Sequence, residues 1–156
     1  MTHTDRTNGQ RTILIADREL PIRVGLHTIL SGEPDLLVPA PVSTIKELTT
    51  LAHQHRSALV VMDTAFADGD GIPACRALLT RYPGLRVLFF ANSATPQTAL
   101  QAIEAGATGF FTKCVAQAEL LAGIHRILAG QSAFDPTLMG ETIKWMREQQ
   151  RSANLP

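Results

Sequence analysis

The chain has 156 residues, 45% of them apolar and 18% charged, which suits a single domain with a sizeable core. Its 14 basic residues balance its 14 acidic ones, so it lacks the positive field of a chain that grips nucleic acid by itself. No run approaches the apolar length of a transmembrane helix, and no signal peptide opens the chain. These features set the expectation of a cytoplasmic protein without a membrane partner.

Residues 1–10, MTHTDRTNGQ, are polar and aperiodic and read as a disordered leader. Thr12 to Ala16 is a near-continuous apolar strand that ends at Asp17. Leu20 to Leu30 carries a helical apolar face, and Gly32 and Pro34 stop it. Leu36 to Val42 is a second apolar run, in which Pro39 and Pro41 argue for a sheet edge. Thr44 and Glu47 have capping-box spacing and open a helix running to about His55. A third strand, Leu59-Val60-Val61-Met62, stops at a carboxylate, Asp63, and the loop Asp68-Gly69-Asp70-Gly71 leads to a helix over Ile72 to Tyr82.

Arg86 to Ala91 is a fourth strand, and Thr95 and Pro96 have the chemistry of a helix start for Pro96 to Ala105. Thr108 to Thr112 is a fifth strand ending at Lys113, followed by a helix from about Gln117 to Leu128. A last helical pattern, Pro136 to Gln149, carries Leu138, Met139, Ile143, Trp145 and Met146, enough apolar surface to pack on the domain or on a partner. Cys75 and Cys114 fall in apolar segments and read as reduced packing residues, while His53 and His55 point to different faces of a helix and read as surface.

Strands alternating with helices predict an α/β domain with a five-stranded parallel sheet covered on both faces. The order 2-1-3-4-5 puts the proline-bearing second strand at an edge. Strands 1 and 3 then adjoin at the topological switch point, where Asp17 and Asp63 meet and Lys113 arrives from strand 5. No glycine-rich phosphate loop follows strand 1, which argues against a dinucleotide site. Carboxylates and a lysine at adjacent strand ends suit Mg²⁺ and phosphoryl chemistry, with an Asp as nucleophile, or they form a structural ion pair.

The sequence resembles the receiver domain of bacterial response regulators, most closely the NarL/FixJ (LuxR-type) transcription factors. The stretches ADRELPIRVGLHTIL, VVMDTAFADGDG and EAGATGFFTKCV carry the resemblance, which runs from about Arg11 to Asp135, and 50 residues separate Asp63 from Lys113. It implies a flavodoxin-like, CheY-like (βα)5 fold over residues 11–131, with residues 132–156 as linker helix and tail. It makes Asp63 the phosphoacceptor position, Asp17 an acid of the metal pocket, Lys113 the phosphate-contacting lysine and Phe110 the aromatic switch position.

The chain departs from that family at informative places. Arg18 stands where the second acid would bind Mg²⁺, and a guanidinium has no acceptor with which to ligate a metal. Turned toward Asp63, its charge would mimic the cation. Ala91 replaces the switch hydroxyl, with Ser93 in the loop as a substitute, and Phe66-Ala67 replaces the usual proline. Glu19 is a candidate rescuer of metal binding, though the first helical turn is its expected place, where an acid suits the helix dipole. Asp17 and Asp63 are thus expected to hold Mg²⁺ weakly or not at all.

The leading expectation is an atypical, non-enzymatic receiver that acts by dimerisation or ligand binding with weak or no Mg²⁺-dependent phosphorylation. One alternative is an ordinary phosphoacceptor, modified on Asp63 by a sensor histidine kinase. The other is an acidic-metabolite sensor working through Arg18 and Lys113. A homodimer is expected, through the fourth helix, fifth strand and fifth helix or through the first and last receiver helices. DNA would be reached through a separate C-terminal helix-turn-helix domain of a full-length protein.

Overall fold

The computed structural model describes residues 9–155, so all of the expected leader except Gly9 and Gln10 lies outside the described residues. The order is β1 (Arg11–Ala16), α1 (Leu20–Ser31), β2 (Leu36–Leu37), α2 (Ile45–Gln54) and β3 (Leu59–Met62). A short hairpin, β4 (Ala65–Phe66) with β5 (Gly69–Asp70), leads into α3 (Gly71–Arg81). Then come β6 (Arg86–Ala91), α4 (Pro96–Glu104), β7 (Gly109–Thr112), α5 (Gln117–Leu128), β8 (Ala133–Phe134) and α6 (Pro136–Ala153).

The main sheet is parallel, in the order β2-β1-β3-β6-β7-β8. Its first five strands have the expected order 2-1-3-4-5, but the expected count of five is corrected to six. Ala133 and Phe134 pair with Gly109 and Phe110 at the far edge, and a two-residue strand is too short to leave a periodic signal. The second strand is also shorter than the run Leu36 to Val42. Pro39 and Pro41 have no N–H for the ladder, and the chain returns to β1 for a single bridge between Val42 and Ala16.

Alternation along the buried strands sorts the core into two layers. Leu14, Val60, Val87 and Phe89 face α2, α3 and α4, whereas Ile13, Ile15, Val61 and Leu88 face α1 and α5. Both sets are buried, as expected of a sheet covered on both faces. Phe89 and Phe110 meet in the first layer with ring centroids 5.8 Å apart and planes tilted by 39°. The last helix packs against α4, burying Leu138 and Thr142 while leaving Ile143 and Met146 exposed.

Thr44 caps α2 by accepting the Glu47 N–H, as the capping-box spacing predicts. A second cap comes from a distant loop. Asp68 accepts the N–H groups of Ile45 and Lys46, and these bonds hold its carboxyl below the ordinary value. The β4–β5 hairpin is thereby tied to α2, which fixes the segment that follows Asp63. Among the described residues no helix is long and apolar enough to cross a membrane.

Gly71 lets α3 start against that segment. A Cβ added there would collide with the Asp63 carbonyl oxygen and lie 3.0 Å from Thr64 Cα. Backbone cannot yield as a flexible side chain does, so Gly71→Ala should destabilise the fold by about 2 kcal/mol, measured by urea unfolding. Gly84→Ala, with open space around its Cβ, is the control and should change stability far less.

Candidate functional site

Three strand ends build the site. Asp17 follows the last residue of β1, Asp63 that of β3 and Lys113 that of β7. Backbone bonds hold all three: Asp17 N donates to Val42 O, Asp63 N to Ala16 O and Lys113 N to Ala91 O. The last of these bonds, at 2.7 Å, carries the β6–β7 ladder one step past the strands and aims Lys113 across the sheet end.

The Lys113 ammonium donates to Asp17 Oδ1 at 3.1 Å, Asp63 Oδ2 at 3.1 Å and Glu19 Oε2 at 2.8 Å. An ammonium has three N–H donors, and each is taken by a different carboxylate. The side chains of Asp17, Asp63 and Lys113 are 1%, 2% and 6% exposed, so this is a buried ion cluster closed by the partly exposed Glu19. Asp17 Oδ2 is shielded and takes no hydrogen bond. It lies 3.0 Å from the ammonium as an ion-pair contact.

Asp17 also accepts the Glu19 N–H at 2.8 Å, a local turn that opens α1. Its carbonyl accepts from the Arg23 guanidinium. Asp63 Oδ1 accepts the Thr64 N–H at 2.8 Å, while its Oδ2 faces two cations, Lys113 at 3.1 Å and Arg18 Nε at 3.6 Å. Arg18 is thus turned toward Asp63, and its side chain is 48% exposed at the mouth.

Burial pushes the Asp17 carboxyl up, against the pull of its bonds to the Glu19 N–H and Lys113. Glu19 is held below its ordinary value, first by the Lys113 hydrogen bond and then by Asn92. For Lys113, burial works against the charge, but the hydrogen bonds to Glu19, Asp17 and Asp63 outweigh it and raise the pKa.

The expected group of Asp17, Asp63 and Lys113 does converge. Glu19 is corrected: it stands at the N-cap of α1 without capping it. Its carboxylate swings back to Lys113, because an ammonium donor there outcompetes solvent and the helix end. Asn92 is a residue sequence reasoning missed. Its amide donates to Glu19 Oε1 at 3.3 Å, whereas Ser93 beside it is exposed. Ala91 and Phe110 are buried. Cys75 is buried as expected, its thiol pushed up to about 11 by burial, but Cys114 is exposed one residue past Lys113, not a packing residue. A surface group of Glu33, Asp35 and His125, at the opposite end of the sheet, also brings its ligand atoms within 4.8 Å of one another.

The model of the response regulator receiver domain matches residues 13–125. The chain is 33% identical over 125 residues to the DNA-binding transcriptional activator DevR/DosR of Mycobacterium tuberculosis, covering 80% of this chain and 57% of that protein. It is 32% identical over 126 residues to the transcriptional activator protein ExaE of Pseudomonas putida, covering 81% and 59%. The chain therefore spans less than two thirds of the length of these relatives. A crystal structure of a LuxR-family two-component response regulator from Aurantimonas sp. SI85-9A1 superposes with a TM-score of 0.82 at 30% identity, covering 88% of this chain and 98% of that one.

Removing the lysine would strand Asp17 and Asp63 without their cation. Lys113→Met should cost about 3 kcal/mol at neutral pH, the size typical of breaking a buried ion pair. The sign of the pH dependence follows from Asp17: burial already holds its carboxyl above the ordinary value, and without the lowering pull of Lys113 its folded-state value moves further above the unfolded one. Stability in the variant is then retained at low pH and lost as pH rises through those values. Urea unfolding at about pH 5 and pH 7 should show the deficit against wild type growing with pH.

Proposed function

Because the chain belongs to the response regulator receiver domain family, we propose that it is an atypical receiver of a bacterial transcription regulator, held by internal cations and working with little or no Mg²⁺-dependent phosphorylation. The observation that carries this reading is the placement of Arg18. Its guanidinium faces Asp63 Oδ2 where a metal ligand would be needed, while Lys113 is saturated by three carboxylates.

The donor set does not fit Mg²⁺. That ion demands near-ideal octahedral oxygen coordination. Asp17 Oδ2 accepts no hydrogen bond but lies 3.0 Å from the Lys113 ammonium, both Asp63 oxygens already have partners, and Arg18 adds positive charge at the mouth. Two unit charges about 4 Å apart at an effective dielectric of about 20 interact by about 4 kcal/mol. Exposure of Arg18 weakens this, yet half of it, about 2 kcal/mol, is roughly thirtyfold in affinity.

Ordinary phosphorylation of Asp63 by a histidine kinase is the second reading, and the same geometry disfavours it. An acidic-metabolite sensor finds little support either, since Lys113 is buried among carboxylates and leaves Arg18 alone to meet the ligand. Ala91 has no hydroxyl with which to report on Asp63, and Phe110 is packed against Phe89.

Output would then be set by dimerisation or ligand binding, and DNA would be reached through a separate C-terminal domain. For the dimer, α6 covers part of α4, whereas α1 exposes Leu20 and Val24, 61% and 57% accessible. This favours the face of α1 and α5. Calorimetric titration with Mg²⁺ tests the reading: Arg18→Asp should bind roughly thirtyfold tighter than wild type. Equal, tight binding by both proteins would refute it.

A further inference from the structure

The three carboxylates on Lys113 are not equivalent. Asp17 and Asp63 are fixed at strand ends and buried, whereas the Glu19 side chain is 39% exposed and longer. Its Oε2 accepts from Lys113 Nζ at 2.8 Å, the shortest of the three bonds, and its Oε1 accepts from Asn92 Nδ2 at 3.3 Å. One carboxylate therefore spans two donors from separate elements, the end of β7 and the loop between β6 and α4. No backbone bond has to break for it to swing out.

Charge points the same way. Asp17, Glu19 and Asp63 face Lys113 and Arg18, three negative groups against two positive ones. The cluster as it stands repels a further anion, and Lys113 has no donor left to offer one. Without Glu19 the charges balance, one ammonium proton is free, and the Asn92 amide points at the space vacated.

We propose that Glu19 is a tethered anion seated in a subsite formed by Lys113 and Asn92, and that an external oxyanion of the phosphate class enters there only by displacing it. Glu19 is in this sense a gate residue whose carboxylate competes with incoming ligand. The inference rests on the same reading of the cluster as internally neutralised, but it concerns anion entry, not metal binding.

The test uses inorganic phosphate as the probe, with chelator present. The melting temperature of wild type, Glu19→Gln, Glu19→Ala and Glu19→Ala/Asn92→Ala is followed against chloride at matched ionic strength, since a ligand that binds only the folded state raises it. Glu19→Ala should bind phosphate roughly fivefold tighter than wild type, the size of effect that one exposed charge pair commands. Glu19→Gln, neutral but still able to reach Lys113, should fall between, and removing Asn92 as well should take back part of the gain. The same phosphate response in wild type and Glu19→Ala would overturn the proposal, as would a gain that survives loss of Asn92 undiminished. Tight Mg²⁺ binding by wild type would refute the internally neutralised site without altering this result, because the metal is chelated here.

Discussion

The three hydrogen bonds of the Lys113 ammonium set the terms for everything at the carboxyl end of this sheet. Two of its acceptors are buried carboxylates, and a buried carboxylate without a cation is costly. Lys113 therefore neutralises charge and spans the sheet end, joining β1, β3 and β7 through side chains where their ladders stop. Arg18 adds the second positive charge from the mouth of the site. The arrangement resembles a metal site in its acids and differs from one in its cations, which the chain supplies itself.

The fold explains why these groups meet. Parallel strands in the order β2-β1-β3-β6-β7-β8 place β1 and β3 side by side, so their terminal carboxylates come together at the switch point. Two-sided burial of the strands fixes the register, because a slip of one residue would turn Leu14, Val60 and Phe89 into the wrong layer. The ties at Asp68 and Gly71 then hold the segment after Asp63 close to α2 and α3. Core packing thus reaches the site through backbone position, and the side chains need little freedom once there.

Much of this was legible in the sequence. Apolar runs ending at Asp17, Asp63 and Lys113 gave the strands and their termini, and the prolines at 39 and 41 placed β2 at the edge. What escaped depends on tertiary partners. The two-residue strand β8 exists because β7 offers an open edge, which no local pattern in Ser132 to Asp135 announces. Glu19 and Asn92 look like ordinary helix-start and loop residues, and nothing in their neighbours says that a lysine from β7 draws them together. Asp68 reads as turn punctuation, yet it caps a helix over twenty residues upstream. Cys114 follows an apolar strand and so looked buried, although the chain has already left the sheet by then.

On the proposed reading, internal cations take the place of an external one and leave Asp63 a poor acceptor. The most direct test is incubation of the protein with acetyl phosphate and Mg²⁺, followed by intact mass, with Asp63→Asn in parallel. The account predicts little or no phosphoryl adduct on wild type. A near-complete adduct on wild type that is absent from Asp63→Asn would contradict it and make Asp63 a working phosphoacceptor despite Arg18.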